Sequence, residues 1–274
     1  MPVSFIKMHG IGNDFVIIDA RYQTVELTAD GIRGIAARRT GVGCDQVIVL
    51  EESRKADCFM RIYNADGGQV DACGNATRCV AWLMMHASGL NAASIETAVG
   101  ILMCHQTEGD RVCVNMGAPI WEWEKIPLAQ AMDTLHTGIK VDENLSDPVA
   151  VSMGNPHAVF FVDSMQKLET ANFLLAQQTL KPHFPEGVNI SVALLDTKEG
   201  IANVRVLERG VGETFACGTA ACAVMAASRT REHAGDILTV RFIMTGGTLD
   251  MQWEGGEILM TGEVAASFRG ELVI

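Results

Sequence analysis

The sequence predicts an α+β protein made of two pseudo-symmetric domains from an internal duplication, each with short strands curled around a central buried helix. Three observations carry this prediction. An Ala-Cys-Gly motif occurs twice, at Ala72-Cys73-Gly74 and at Ala216-Cys217-Gly218. Each copy opens an apolar, helix-like stretch rich in Ala, Val, Met and Leu. The flanking segments match between the halves in one order and at nearly one offset, as a duplicated domain requires.

The elements follow in order. Gly12-Asn13 precedes the apolar run Phe15-Val16-Ile17-Ile18, which ends at Asp19. Gly154-Asn155 precedes Ala158 to Val162, which ends at Asp163. Apolar runs bounded by glycine turns read as strands. Ile32, Ile35 and Ala36 have helical spacing ahead of Gly41, and Leu168, Leu174 and Leu175 hold the matching place in the second half. Gly43-Cys44-Asp45 leads into the strand Val47 to Leu50, and Gly187-Val188-Asn189 leads into Ile190 to Leu194. The cysteine helices come next, and a helix apolar on nearly all sides belongs inside its own domain. Hairpin-like stretches then open at Gly100 and Gly247 and end near Met116-Gly117 and Thr261-Gly262. The stretch from Pro119 to Pro148 hands the first half over to the second. The expected domains are therefore 1–118 and 119–263, with 264–274 as a last strand completing the first.

Composition narrows the function. The chain has 274 residues, 48% hydrophobic and 20% charged, which is an ordinary globular balance. A net charge of −12 argues against a nucleic-acid surface, but local donors can still hold an anionic small substrate. Met1-Pro2-Val3-Ser4 runs straight into a strand-like segment, so no signal peptide and a cytoplasmic location are expected. The longest apolar run, around Cys217, is interrupted by Thr214, Thr219, Ser228 and Arg229 and reads as a buried helix, with no membrane span expected. Eight cysteines without a secretory signal do not form a disulfide framework. There is no Cys-x-x-Cys, and the spacings Cys73 to Cys79 and Cys217 to Cys222 are not zinc-like, so no metal is expected. Cys44, Cys58, Cys79, Cys104, Cys113 and Cys222 read as small buried hydrophobes. Gly10-x-Gly12, Gly41-x-Gly43 and Gly210-x-Gly212 lack the third glycine of a dinucleotide fingerprint, and no P-loop is present.

The chemistry points to Cys73 and Cys217. A cysteine at a helix start meets free amides and the positive end of the helix dipole, which favours thiolate. Backbone N–H groups of Gly74, Asn75, Gly218 and Thr219 can hold a carboxylate there. If the halves pack about a pseudo-twofold axis, one thiol stands on each face of the bound α-carbon. Cofactor-free inversion of an amino acid needs that arrangement, with donors preorganised at the carboxylate. His157 and Glu208 are candidates for tuning the thiols, although His157 also fits a turn histidine bonded to main chain. Asn13, Asn64, Asn155 and Asn189 sit at turns, and any one alone is a turn former. Together with Gln46, Glu208 and Arg209 they suit a substrate with an amino-acid group at each end, because Arg forks onto a carboxylate and Glu accepts from an ammonium. Two other readings remain open. One is a racemase of another amino acid, of the histidine or proline type. The other is a thiol redox or binding protein in which Cys73 and Cys217 form a reversible disulfide.

Gly10-Ile11-Gly12-Asn13-Asp14-Phe15, Asn64-Ala65-Asp66-Gly67, Ala72-Cys73-Gly74-Asn75, Met153-Gly154-Asn155-Pro156-His157, Val188-Asn189-Ile190, Glu208-Arg209-Gly210 and Ala216-Cys217-Gly218 run through the whole chain in order. In these motifs the chain resembles the diaminopimelate epimerase family. The resemblance implies two domains, each a strand barrel around a central helix, with the site in the cleft between them. It implies interconversion of LL- and meso-diaminopimelate, a small amino-acid substrate, on the route to lysine and peptidoglycan, with no cofactor, and a homodimer. It implies Cys73 and Cys217 as the acid–base pair. Asn13, Gln46, Asn64, Asn155, Asn189, Glu208 and Arg209 would bind substrate, and the backbone at Gly74-Asn75 and Gly218-Thr219 its reacting carboxylate. Ala76 and Ala220 stand where the family has a second glycine, and Thr219 stands for a frequent serine. Thr245-Gly246-Gly247 lacks a usual proline, and Glu263 replaces another.

Overall fold

The computed structural model of the chain describes residues 2–231 and 238–273. The elements are β1 (Pro2–Gly10), β2 (Asn13–Asp19), α1 (Ala29–Ala36), β3 (Gln46–Glu51), β4 (Cys58–Asn64), β5 (Gln69–Val70), α2 (Gly74–Ser88), β6 (Ala92–Thr97), β7 (Gly100–Gln106) and β8 (Arg111–Asn115). Then come β9 (Val149–Ser152), β10 (Pro156–Val162), α3 (Met165–Glu169), α4 (Phe173–Leu180), β11 (Asn189–Asp196), β12 (Ile201–Glu208), β13 (Gly212–Thr214) and α5 (Gly218–Thr230). The chain ends with β14 (Thr239–Met244), β15 (Gly247–Glu254), β16 (Glu257–Glu263) and β17 (Ala265–Val273). Two compact units divide it. One comprises residues up to Asn115 together with those from Thr261 onward, and the other runs Met116–Met260.

In the N-terminal unit β17 pairs antiparallel with β1, and β1 with β2. β2 runs parallel to β3, which pairs antiparallel with β4. β4 runs parallel to β6, and β6, β7 and β8 form an antiparallel meander. The sheet curls around α2, which touches β1, β2, β6, β7 and β8. Strand alternation follows from this wrap: inward residues such as Met60 and Ile62 are buried between half-exposed Phe59 and Arg61. The last strand begins at Ala265, one residue inside the expected 264–274; Ile274 itself lies outside the described residues.

The second unit repeats the topology. β9 pairs antiparallel with β10, β10 runs parallel to β11, β11 is antiparallel to β12, β12 parallel to β14, and β14 antiparallel to β15. Here α5 is the central helix, against β9, β10, β11 and β15. Every residue of α5 from Gly218 to Ser228 is buried. Its many alanines let strands approach the helix on all sides, so burial of an all-round apolar helix follows from side-chain size.

The second unit differs from the expected repeat in two places. Leu168, Leu174 and Leu175 do not share one helix. Leu168 belongs to α3, and in α4 the buried face is Phe173, Ala176 and Leu180, at 3–4-residue spacing. Leu174 is 66% exposed, because the Asn172 side chain caps α4 by accepting from Leu175 N and so fixes which face turns inward. Among the described residues the unit thus carries three α-helices where two were expected. The stretch from Pro119 to Pro148 is also more than a connection. Ile126, Leu128, Ile139 and Leu145 enter one core cluster with Phe160, Phe173 and Ile190.

Candidate active site

In the N-terminal unit Cys73 is the N-cap residue of α2, with extended backbone at φ −152° and ψ 105°. Its Sγ donates to Asn13 Oδ1 at 3.7 Å, from the first residue of β2. The same oxygen accepts from Asn75 Nδ2 at 3.2 Å. Asn13 Nδ2 donates to Asp45 Oδ2 at 2.9 Å. Arg78, fully buried on α2, donates from Nη2 to Asn75 Oδ1 at 2.9 Å. Gly10 is glycine for a local reason: a Cβ there would lie 3.1 Å from Arg78 Nη2. Gln46 and Asn64 face each other across the β3–β4 ladder, with Nε2 donating to Oδ1 at 2.9 Å.

Beneath Asn13 lies an ionic cluster that the sequence reading missed. Arg38 bonds Asp14 and Asp45, while Lys7 bonds Asp14 at 2.6 Å and the Gly43 carbonyl. Burial works against the Asp14 carboxylate, yet Arg38 and Lys7 hold it well below the usual carboxylate range. These residues lie on different segments, and the β1–β2–β3 pairing brings them together.

In the second unit Cys217 is the N-cap residue of α5, with φ −138° and ψ 114°. Its Sγ donates to Glu208 Oε2 at 3.1 Å and lies 3.5 Å from Thr219 Oγ1. Thr214, a neighbour the sequence did not single out, donates its hydroxyl to the other Glu208 oxygen. Burial, and then the Glu208 carboxylate, push the Cys217 thiol well above the ordinary range. This corrects the expectation that the helix start favours thiolate. At Cys217 the loss of water and a neighbouring negative charge outweigh the dipole.

Asn155 Nδ2 donates to Thr219 Oγ1 at 3.3 Å. His157 Nε2 bonds Asn155 Oδ1 at 2.8 Å, so its contact is neither a thiol nor main chain. Burial, with Arg209 adding to it, lowers the His157 pKa to about 3. The ring is therefore neutral, and Nε2 carries the proton that Asn155 accepts. Asn189 is tied to both sides, accepting from Arg209 N at 2.8 Å and donating to the Pro156 carbonyl at 3.2 Å. The Arg209 stem lies over Gly187, where a Cβ would fall 3.0 Å from Cδ, and Nη1 donates to the Glu186 carbonyl. Each unit thus gathers its own candidates around its own cysteine: Asn13, Asn75 and Asp45 near Cys73, and Glu208, Thr219, Asn155 and His157 near Cys217. Gln46 with Asn64, and Asn189 with Arg209, form separate pairs.

Comparison with known proteins agrees with this internal repeat. The diaminopimelate epimerase family model matches the chain twice, over residues 5–122 and 149–266. The chain belongs to the diaminopimelate epimerase family. A diaminopimelate epimerase from Erythrobacter litoralis is 47% identical over 98% of this chain and 97% of its own length. One from Rhodospirillum centenum is 46% identical over 98% of this chain and 91% of its own. Among solved structures, a Bacillus anthracis phenazine biosynthesis protein superposes with a TM-score of 0.72 at 20% identity, over the whole of both chains. A probable proline racemase from Agrobacterium radiobacter gives 0.67 at 16% identity, over 99% of this chain and 93% of that one. At such identities the fold is shared, and substrate choice rests on the site. Among the described residues no helix is long and apolar enough to cross a membrane.

Proposed function

We propose that this diaminopimelate epimerase family member interconverts LL- and meso-diaminopimelate by moving a proton between the substrate α-carbon and the thiols of Cys73 and Cys217. The observation that carries the reading is the repeated placement of a cysteine as N-cap residue of a buried helix, its sulfur set against an oxygen acceptor, in a chain nearly half identical to named epimerases. In one direction a thiolate takes the α-proton and becomes a thiol. The electron pair stays on the substrate as a carbanion-like centre stabilised at its carboxylate. The opposite thiol then gives its proton to the other face and becomes the thiolate. The first-turn amides at Gly74-Asn75 and Gly218-Thr219 have no intrahelical carbonyl to bond, and they hold the carboxylate where negative charge grows. Burial and Glu208 keep Cys217 as a thiol when it is the proton donor, and Glu208 can accept its proton when it is to act as the base.

Asn13, Gln46, Asn64, Asn155, Asn189, Glu208 and Arg209 are assigned to the polar groups of the substrate. His157 acts on Cys217 only through Asn155 and Thr219, as a positioning residue. The chain acts as a cytoplasmic homodimer, without a cofactor. The test is direct conversion of purified LL-diaminopimelate, with the stereoisomers separated by chiral chromatography. The meso form should accumulate to equilibrium, and Cys73→Ala and Cys217→Ala should each lower the rate by about 10²–10⁴-fold. Full activity in either variant would reject the two-thiol mechanism.

A further inference from the structure

A run of hydrogen-bonded side chains lies against Cys73, and both of its ends have fixed polarity. At one end buried Arg78 carries only donors and gives one to Asn75 Oδ1. At the other the Asp45 carboxylate, paired with Arg38, carries only acceptors and takes one from Asn13 Nδ2. Between them Asn75 Nδ2 donates to Asn13 Oδ1. A free carboxamide can present either end, but neither of these can turn over without setting like against like. The Asn13 oxygen is therefore held toward Cys73 Sγ, where it accepts from S–H and opposes a thiolate. The matching pair in the second unit has the reverse sense, since Asn155 donates to Thr219. The thiol acceptor there is Glu208.

We propose that Asp45 is a positioning residue that fixes the orientation of the Asn13 amide and thereby biases Cys73 toward its S–H form. The proposal rests on the two-thiol reading for its catalytic meaning: it makes the Cys73 protonation state a property of a residue that touches neither the sulfur nor the substrate. Other charged or titratable groups around this end of the unit include Asp71 just ahead of Cys73, Lys7 and His9 of β1, Asp14 of β2, Arg38, Glu263 of β16, and Arg78 and Cys79 of α2. Lys7 and Arg38 are engaged by Asp14 and Asp45, and Arg78 by Asn75.

Asp45 is 44% exposed, so Asp45→Asn removes its polarity without opening the core. Asparagine there can present Nδ2 to Asn13, which leaves Asn75 alone to hold the Asn13 oxygen toward sulfur, so the orientation is no longer fixed from both ends. The experiment is iodoacetamide alkylation of the full chain across a pH series, with modification of the Cys73 peptide measured by mass spectrometry. Cys73 is partly exposed and open to the reagent. Asp45→Asn should lower the Cys73 midpoint by about one pH unit, making alkylation below the midpoint about tenfold faster. In an Asn13→Ala background the same substitution should change nothing. A purely Coulombic effect of Asp45 would shift both backgrounds alike and fade at high salt. Equal shifts in both backgrounds, or no shift in either, overturn the proposal. Alkylation reports the thiol whether or not the protein turns over. Failure of the two-thiol reading would show separately, as epimerisation that survives Cys73→Ala.

Discussion

At Cys217 two effects compete: the helix start favours thiolate, while burial and the Glu208 carboxylate favour thiol. The second pair wins, because Glu208 Oε2 lies 3.1 Å from the sulfur and water is excluded. Glu208→Gln removes the charge, so the Cys217 thiol should ionise at lower pH. The change would be read as the thiolate ultraviolet absorbance difference between this variant and its Cys217→Ala derivative. Epimerisation should fall by about 10²-fold, since the group that accepts the Cys217 proton is gone. An unchanged ionisation midpoint would mean that Glu208 does not control this thiol. At this scale the cysteine positions were legible, because Ala-Cys-Gly before an apolar run marks a helix start. The direction of the thiol shift was not, since it depends on how many strands cover α5. The Lys7–Asp14–Arg38–Asp45 cluster was hidden for the same reason: three strands must pair before its members meet.

Among the elements, α4 shows what spacing alone leaves open. Leu174 and Leu175 look like core residues in a sequence, yet Phe173, Ala176 and Leu180 face inward. The choice is set by the Asn172 cap and by Arg205, whose guanidinium sits 5.0 Å from the Phe173 ring. Leu174→Lys should therefore leave urea-unfolding stability within about 0.5 kcal/mol, whereas Phe173→Ala should cost about 3–5 kcal/mol. The reverse ranking would contradict the described face. The central helices were easier to read. In α5 no polar face exists to turn outward, so burial inside strands is the outcome compatible with its composition. Enlarging a side chain there, as in Ala223→Leu, should cost about 1–3 kcal/mol by the same measurement, because Ala223 has no exposed surface.

Across the whole molecule, buried titratable groups set the response to acid. His157 has a folded-state pKa of about 3, below the ordinary value of about 6.5. As pH falls the unfolded chain takes that proton first, so the contribution of neutral His157 is complete above about pH 6.5 and is lost as pH falls toward 3. Asp14 is likewise depressed, so its contribution is complete above about pH 4 and is lost below that, as pH falls through its folded-state pKa. Thermal melts should therefore lose stability in two stages on acidification. His157→Gln should flatten the stage between about pH 6.5 and 4 and leave the lower one. A wild-type profile in that variant would place the acid sensitivity elsewhere. The repeat itself was the most legible feature at this scale, because strand runs and cysteine helices recur in one order, and the family match falls on the same two halves. The core role of the stretch from Pro119 to Pro148 escaped notice, since it has almost no regular structure and its apolar residues show no period.

The central claim is proton transfer at one α-carbon by two thiols. Its most direct measurement is α-proton exchange: the reduced protein, free of pyridoxal phosphate, is incubated with LL-diaminopimelate in D₂O and the α-H signal is followed by NMR. Loss of signal at one centre together with appearance of the meso form, abolished by Cys73→Ala and by Cys217→Ala, is the predicted result. Exchange that continues in both variants, or no exchange by the fully reduced protein, would contradict it.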